Sequence, residues 1–513
     1  MDTTVVVGLD GANFNLVNEV SSQADLPNLQ QLLENGSSGI SRSYLPPVTC
    51  PNWKCYSTAK NPGRLGVYWW ERIDTNDRSI DLPDATNFGS PELWDYLNEE
   101  NDSAAVVNLP MSYPPREIDE LMVAGGPRSR EQNYTIPDNL QAEVEDRFDY
   151  QVHPDNVLTS NENADNEVRM VHDLLRVRLR TAHVLLEERD VDFLHVTLFH
   201  LNVLQHYFWD GEPTRRAYEI IDEELEPFVE DDYNLVIMSD HGCTEIDTVF
   251  YINRWLAANG YLETHPSLAS RLHDVGLTQE RIAGVVRSLG LEKYIRPLIP
   301  RHIIERFPSD EGVVREEKLK MVDWEETTAI GSGQGLVYVV ADSEPERQAI
   351  LESLEADLRA TTGLNGEPIA RSIHRREDLY EGEYVDKAPD LIFDQRPGVH
   401  TSEAMGDGEI FSTPTDWRAE NVPEGMVLFH GDDVAAGDLG EVKISDIAPT
   451  ILHWMGHAVP TDMDGEVLTD VFADGAPPAE RSVETREPLP DLDADPTIDA
   501  AVEDRLADIG YLE

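Results

Sequence analysis

The chain has 513 residues, with 99 Asp or Glu against 40 Lys or Arg and a formal net charge of −59. The acids run along the whole length, as on the surface of a salt-adapted cytoplasmic protein, which argues against a basic face for nucleic acid. Three irregularly spaced cysteines, Cys50, Cys55 and Cys243, fit neither a disulfide framework nor a zinc knuckle; with no basic leader and no run of about 18 apolar residues, the reading is a soluble protein of a reducing cytoplasm.

The first predicted strand is Val5-Val6-Val7-Gly8-Leu9, ended by Asp10 and Gly11. A carboxylate at a strand end can bind a cation while the glycine turns the chain, although the same dipeptide also serves as a plain turn. A helical pattern follows over Leu26–Asn35, and then Pro46-Pro47-Val48-Thr49-Cys50-Pro51-Asn52-Trp53, a loop leading into a helix predicted from about Asn52. There Thr49 is either an N-capping residue or a hydroxyl nucleophile among backbone N–H groups able to hold phosphate oxygens. Trp69 and Trp70 are candidates for stacking on a ring, or for ordinary packing, and with Asn52 they form the candidate substrate pocket.

Further strands are predicted at Ala104–Val107, Leu194–Leu198, Leu235–Met238, Leu391–Phe393 and Met426–Phe429, with helices at Val168–Glu188 and Tyr218–Glu230. This alternation predicts an α/β fold, a mainly parallel sheet covered by helices on both faces, with the chemistry at the strand ends. Asn202 and His206, four residues apart, share one helix face. The buried run Leu235–Met238 ends in Ser239-Asp240-His241-Gly242. Adjacent Asp and His on a tight turn present two metal ligands, or else a capping Asp beside a core His. A metal held by Asp10, Asp240 and His241 would lower the pKa of the Thr49 hydroxyl.

Residues 266–321 are helical, rich in Arg and Leu and broken by Pro297, Pro300 and Pro308, which predicts a helical cap inserted in a catalytic domain spanning 1–475. Residues 476–499, rich in Pro, Asp and Glu, read as a linker, and 500–513 as a short amphipathic C-terminal helix.

Taken together, Val7-Gly8-Leu9-Asp10-Gly11-Ala12, Leu26-Pro27-Asn28-Leu29, the stretch from Pro46 to Gly63, Ser239-Asp240-His241-Gly242, Ile447-Ala448-Pro449-Thr450, Asp462-Met463-Asp464-Gly465 and the terminal Leu506-Ala507-Asp508-Ile509-Gly510-Tyr511-Leu512 resemble the alkaline phosphatase superfamily. Within it, the chain is most similar to the type I phosphodiesterase/nucleotide pyrophosphatase family, in a halophilic archaeal form. The resemblance implies an alkaline-phosphatase-like sandwich and a phosphoester or phosphodiester hydrolase with Thr49 as covalent nucleophile. It implies one metal held by Asp10, Thr49, Asp240 and His241, zinc by family usage, with manganese, magnesium or calcium as alternatives. The second metal of the family is held by an Asp and a His four apart and a distant His, where this chain has Asn202, His206 and Asn421.

Amides are poor zinc ligands and carry no charge to offset a second dication, so the expectation is one tightly bound metal or none, and a degenerate second site. His200, His400 and His430 are candidates to repair it. The family's His after Asn-Pro-Gly-Lys is replaced by Arg64-Leu65-Gly66, and the sulfatase pattern fails because Trp53 stands where its Arg belongs. The expected substrate is a nucleotide or phosphorylated metabolite, with neither a nucleic-acid duplex nor a membrane as partner. The competing reading is a pseudoenzyme that keeps the fold for binding or scaffolding.

Overall fold

The computed structural model describes residues 3–154, 164–189, 191–230, 233–265, 319–406 and 408–492. The predicted cap, apart from residues 319–321, the end of the predicted linker and the C-terminal helix lie outside the described residues.

The central sheet contains nine strands: β1 (Thr4–Gly8), β2 (Ser37–Arg42), β3 (Ala104–Pro110), β4 (Glu120–Gly125), β5 (Thr135–Ile136), β6 (Phe193–Thr197), β7 (Asn234–Met238), β8 (Val427–His430) and β9 (Gly437–Lys443). Their order is β9-β2-β8-β7-β1-β6-β3-β4-β5. Strands β7, β1, β6, β3 and β4 are mutually parallel, whereas β8 is antiparallel to both of its neighbours. Every residue of β1, β3, β6 and β7 is buried. That is why these strands are near-continuous apolar runs and not alternating ones: helices cover both faces of a parallel sheet. One group of helices comprises Pro27–Asn35, Ala164–Glu188 and Glu212–Glu230, packed on one another; a second comprises α1 (Thr49–Thr58), Leu93–Glu99 and Ile447–Trp454. The α/β architecture expected from the alternation is the one observed.

Three local expectations are corrected. Leu391–Phe393 is a strand, Leu391–Gln395, but in a separate antiparallel sheet with Ala329–Ser332, Leu336–Val339 and Ala370–Arg375. Ala329–Ser332 and Leu336–Val339 are joined only by the tight turn Gly333–Gly335, which forces antiparallel pairing. The described part of the predicted linker lies along the domain: Thr485–Arg486 pairs with Val459–Pro460, and Arg486 meets Glu99 and Glu100 while covering the Tyr96 ring. Finally, α1 begins at Thr49 and not near Asn52, with Val48 as an N-cap that contributes no side-chain bond.

Register places the functional segments. Gly8 is aligned with both Thr197 and Met238, and beyond them Leu9 N–H donates to Met238 O (2.8 Å) and Leu198 N–H to Gly8 O (2.8 Å). Three chain segments therefore leave the sheet at one level, carrying Asp10, the helix α2 (His200–Phe208) and Ser239-Asp240-His241. At Gly8 an added Cβ would sit 2.5 Å from the Trp53 indole, so only glycine lets α1 settle this close to β1. The far end of α1 is pinned by two of the sequence motifs. Asn61 donates from both its backbone and its side chain to Asp464 Oδ2 (2.8 Å each), and Asp464 N–H donates to Ala59 O (2.8 Å). Arg64, in place of the family's usual neighbour, pairs with Asp464 Oδ1 at 3.0 Å.

On the side of β6 that faces α1, His195 lies edge-on to Trp53 and bonds Thr197 through Nε2 (2.7 Å). Burial pushes its pKa down to about 3. A histidine kept neutral by the fold contributes stability that is present above its unfolded pKa of about 6.5 and is lost as pH falls toward its folded value. The expected result is a decline in urea midpoint from about pH 6.5 downward that is shallower in His195→Gln than in the wild type.

Candidate active site

The site is assembled from the ends of β1 and β7 and the start of α1. Gly11, at φ +72°, turns the chain after Asp10 and donates its N–H to Asp240 Oδ1 (3.3 Å). An added Cβ there would lie 2.4 Å from Asn202 Oδ1 and 2.6 Å from Gln205 Oε1, so the close approach of α2 requires glycine. Ser239 locks the second turn: its Oγ donates to Ala12 O (2.7 Å) and accepts from Met426 N–H (2.8 Å). Before α1, the Asn52 amide binds Tyr44, Pro46 and Val48, accepting from Tyr44 N–H (2.9 Å) and donating to the three carbonyls at 3.0–3.2 Å. It thereby folds the loop that presents Thr49, and it does not face a pocket.

Thr49 Oγ1 ends 3.3 Å from Asp10 Oδ1 and 3.2 Å from His241 Nε2. His241 Nε2 is also 3.2 Å from Asp240 Oδ2 and 3.8 Å from Asp10 Oδ1. Because His241 Nδ1–H donates to Gly242 O (2.9 Å), the lone pair of the neutral ring lies on Nε2, toward the carboxylates. Asp10, Thr49, Asp240 and His241 are all 0% exposed.

The electrostatics of this group are those of a cation site. Asp10, Asp240 and His241 offer ligand atoms all within 4.8 Å of one another. Among the described residues, the one ion-pair partner of either carboxylate is His241. Burial, reinforced by Asp240, holds the Asp10 pKa well above the carboxylate range, and burial pushes Asp240 up to about 8. Burial lowers the His241 pKa, so the ring is a neutral donor. Two desolvated carboxylates with one neutral imidazole lack a positive charge that a divalent ion would supply, and the N and O donors suit zinc. The residues present fit a metal.

Asn202, His206 and Asn421 also meet. Asn202 Nδ2 lies 3.5 Å from Asn421 Oδ1. His206 Nδ1–H donates to Ala419 O (2.7 Å) and the ring stacks on Trp417 with centroids 4.0 Å apart. Burial takes its pKa down to about 4. Of the three histidines considered for repair, His200 packs against Phe199 and His153, and His430 pairs with Leu235 at the opposite end of β7. His400 is engaged with Glu420, whose Oε1 also accepts from the Asn421 N–H (2.8 Å). A cleft opens here, with Trp69, His206, His400, Trp417, Glu420 and Asn421 in its wall. Trp69 reaches it. Trp70 does not: it is fully buried, and its carbonyl accepts from Arg128. Sequence reasoning missed Glu420, Trp417 and Gln205, which carry no local motif, and undervalued Trp53, whose spacing from Thr49 puts both on one face of α1.

A family model described as type I phosphodiesterase/nucleotide pyrophosphatase matches residues 4–419. No curated protein matches the chain. Among solved structures, a multiply substituted alkaline phosphatase PafA is similar with TM-score 0.56 and 14% identity, over 92% of this chain and 99% of that one. Phosphonoacetate hydrolase from Sinorhizobium meliloti 1021, in complex with phosphonoformate, gives TM-score 0.51 and 14% identity over 83% and 89%. Inactive murine ectonucleotide pyrophosphatase/phosphodiesterase 5 in complex with AMP gives 0.50 and 10% over 92% and 100%. At these identities the likeness shows a shared alkaline-phosphatase-like fold.

Because Asp240 is held near pH 8 and Asp10 is also raised, the metal-free fold favours their protonated forms and loses that stability as pH rises through about 8. A bound cation takes the proton's place. The gain in melting temperature on adding Zn²⁺ to chelator-treated protein is therefore expected to grow between about pH 6 and about pH 9; a gain independent of pH would contradict it.

Proposed function

The chain belongs to the type I phosphodiesterase/nucleotide pyrophosphatase family, and from that premise we propose that it is a cytoplasmic, metal-dependent phosphoester or phosphodiester hydrolase with Thr49 as covalent nucleophile. The observation that carries this reading is the placement of Thr49 Oγ1 within 3.3 Å of Asp10 and 3.2 Å of His241, beside Asp240, in a fully buried cluster. Asp10, Asp240, His241 and Thr49 would hold one divalent ion, zinc first and manganese, magnesium or calcium as alternatives. When bound, the ion supplies charge that lowers the pKa of the Thr49 hydroxyl and offsets the two carboxylates.

The chain's own residues do the rest. Asp10 Oδ1 and His241 Nε2 are the groups within reach of the Thr49 hydroxyl proton. Oγ1 then attacks phosphorus, forming the Thr49–phosphorus bond as the ester oxygen departs, and water later cleaves that bond to regenerate the hydroxyl. In the first turn of α1 the Thr49 and Cys50 N–H groups have no intrahelical acceptors, and such groups suit phosphoryl oxygens. The cleft beside His206 takes the remainder of the substrate, with Trp69 and Trp417 as its aromatic walls. A nucleotide is the first substrate to try, because the murine relative is solved with AMP.

At the second site, Asn202 and Asn421 are uncharged and reach each other, which favours a single metal. Elemental analysis after purification in high salt is expected to find one metal per chain in the wild type, and two in the double variant Asn202→Asp with Asn421→His, which restores the family's charged set. An unchanged content in the double variant would overturn the degenerate-site reading.

Thr49→Ala is expected to retain the metal but to lose at least about a thousandfold in kcat on nucleotide and diester substrates. Absence of metal-dependent turnover on nucleotides, diesters and monoesters, or turnover untouched by Thr49→Ala, would overturn the catalytic reading.

A further inference from the structure

Trp53 follows Thr49 by four residues on α1, so the two side chains project from one face of the helix. The indole Nε1–H donates to Asp10 Oδ2 at 2.9 Å, while the other carboxylate oxygen, Oδ1, lies 3.3 Å from Thr49 Oγ1 and 3.8 Å from His241 Nε2. The two oxygens are thus distinct in their surroundings. One is held by the indole and the other faces the cluster.

The ring has no freedom to release that bond. It is fully buried, set edge-to-face against Tyr56 (6.2 Å, 83°) and His195 (5.8 Å, 81°), and its six-membered end abuts Gly8. One side chain therefore connects the helix that presents Thr49 to the strand end that presents Asp10.

We propose that Trp53 is a positioning residue of the metal centre, its indole N–H orienting the Asp10 carboxylate so that Oδ1 alone is directed at the ion. This rests on the reading of Asp10 as a metal ligand. Hydrogen bonds that orient a ligating group govern affinity strongly: losing such a partner typically weakens metal binding about 10- to 100-fold. A bond from the indole N–H to an ionised carboxylate is charge-assisted, of a kind roughly twice as strong as neutral–neutral bonds.

The test is Zn²⁺ affinity of the full chain in high salt, by competition with a chromogenic chelator, for the wild type, Trp53→Phe and Tyr56→Phe. Tyr56→Phe perturbs the same aromatic cluster without touching Asp10. The expected result is a dissociation constant weakened about 10- to 100-fold in Trp53→Phe and changed by less than about threefold in Tyr56→Phe, with cooperative thermal unfolding in both. In the wild type, the assigned Trp53 indole N–H resonance should shift on adding Zn²⁺, a readout that needs no variant. Equal affinity in Trp53→Phe, an equal loss in Tyr56→Phe, or an indole resonance unmoved by Zn²⁺ that binds would overturn the proposal while leaving the metal reading intact. A wild type that binds no Zn²⁺ would overturn the metal reading, and this inference with it.

Discussion

Two carboxylates and an imidazole, all at 0% exposure, share a space in which the ligand atoms lie within 4.8 Å of one another, and the rest of the molecule is arranged around that constraint. Bringing Asp10 and Asp240 together away from water costs free energy that no hydrophobic contact can offset directly, and only protons or a cation relieve it. The parallel core of the sheet makes the arrangement possible. Because β1 and β7 are paired in register and end together, two residues far apart in the chain emerge side by side. The turns that follow are then fixed by groups outside the chemistry, Gly11 through its backbone and Ser239 through its hydroxyl.

Thr49 is brought in from the other side by a helix that has little amphipathic character because it has no solvent face; all ten of its residues are buried. Such a helix must be held by specific contacts at each end. Asn52 folds the entering loop, Asp464 pins the residues after the last turn, and Lys54 is neutralised by Glu92 at 2.8 Å within the protein. Burial of that pair is tolerable because Ser57 and Arg116 add further bonds to Glu92. The position of Thr49 is therefore set by polar contacts scattered along most of the chain, which explains why motifs far apart in sequence, such as Asn61-Pro62-Gly63 and Asp462-Met463-Asp464, occur together.

Much of this was legible in the sequence, and for identifiable reasons. Strands buried on both faces are near-continuous apolar runs, so β1, β3, β6 and β7 stood out, and the residues directly after β1 and β7 were the natural ligands. Pairing partners were less accessible. Leu391–Gln395 has the same composition as a central strand, and only its pairing with Leu336–Val339 and Ala370–Arg375 assigns it to another sheet. The start of α1 was misplaced because its N-terminus is not marked by a capping side chain; the signal lies instead in Asn52, which satisfies the loop carbonyls from inside the helix. Trp70 and Trp69 are indistinguishable in sequence, yet one is fully buried and the other lines the cleft, a difference that adjacent identical residues do not encode. Glu420 and Trp417 belong to segments whose only clue was proximity to Asn421.

The two halves of the site differ in how they treat charge, and this difference sets what the centre can do. On the side of Thr49, anionic groups are crowded and desolvated, a condition that persists only if a cation or protons compensate. On the side of Asn202, the Asn202–Asn421 approach lets two neutral amides partly satisfy each other without any ion. His206, fixed by Ala419 and stacked on Trp417, is likewise kept in the neutral form. A second dication would enter a pocket with no compensating negative charge from these three residues, at a desolvation cost their weak dipoles do not meet. The cleft wall beside them carries indoles and imidazoles together with the carboxylates of Glu403 and Glu420. Under the proposed function, the amides of Asn202 and Asn421 leave the demand for a cation with Asp10, Asp240 and His241.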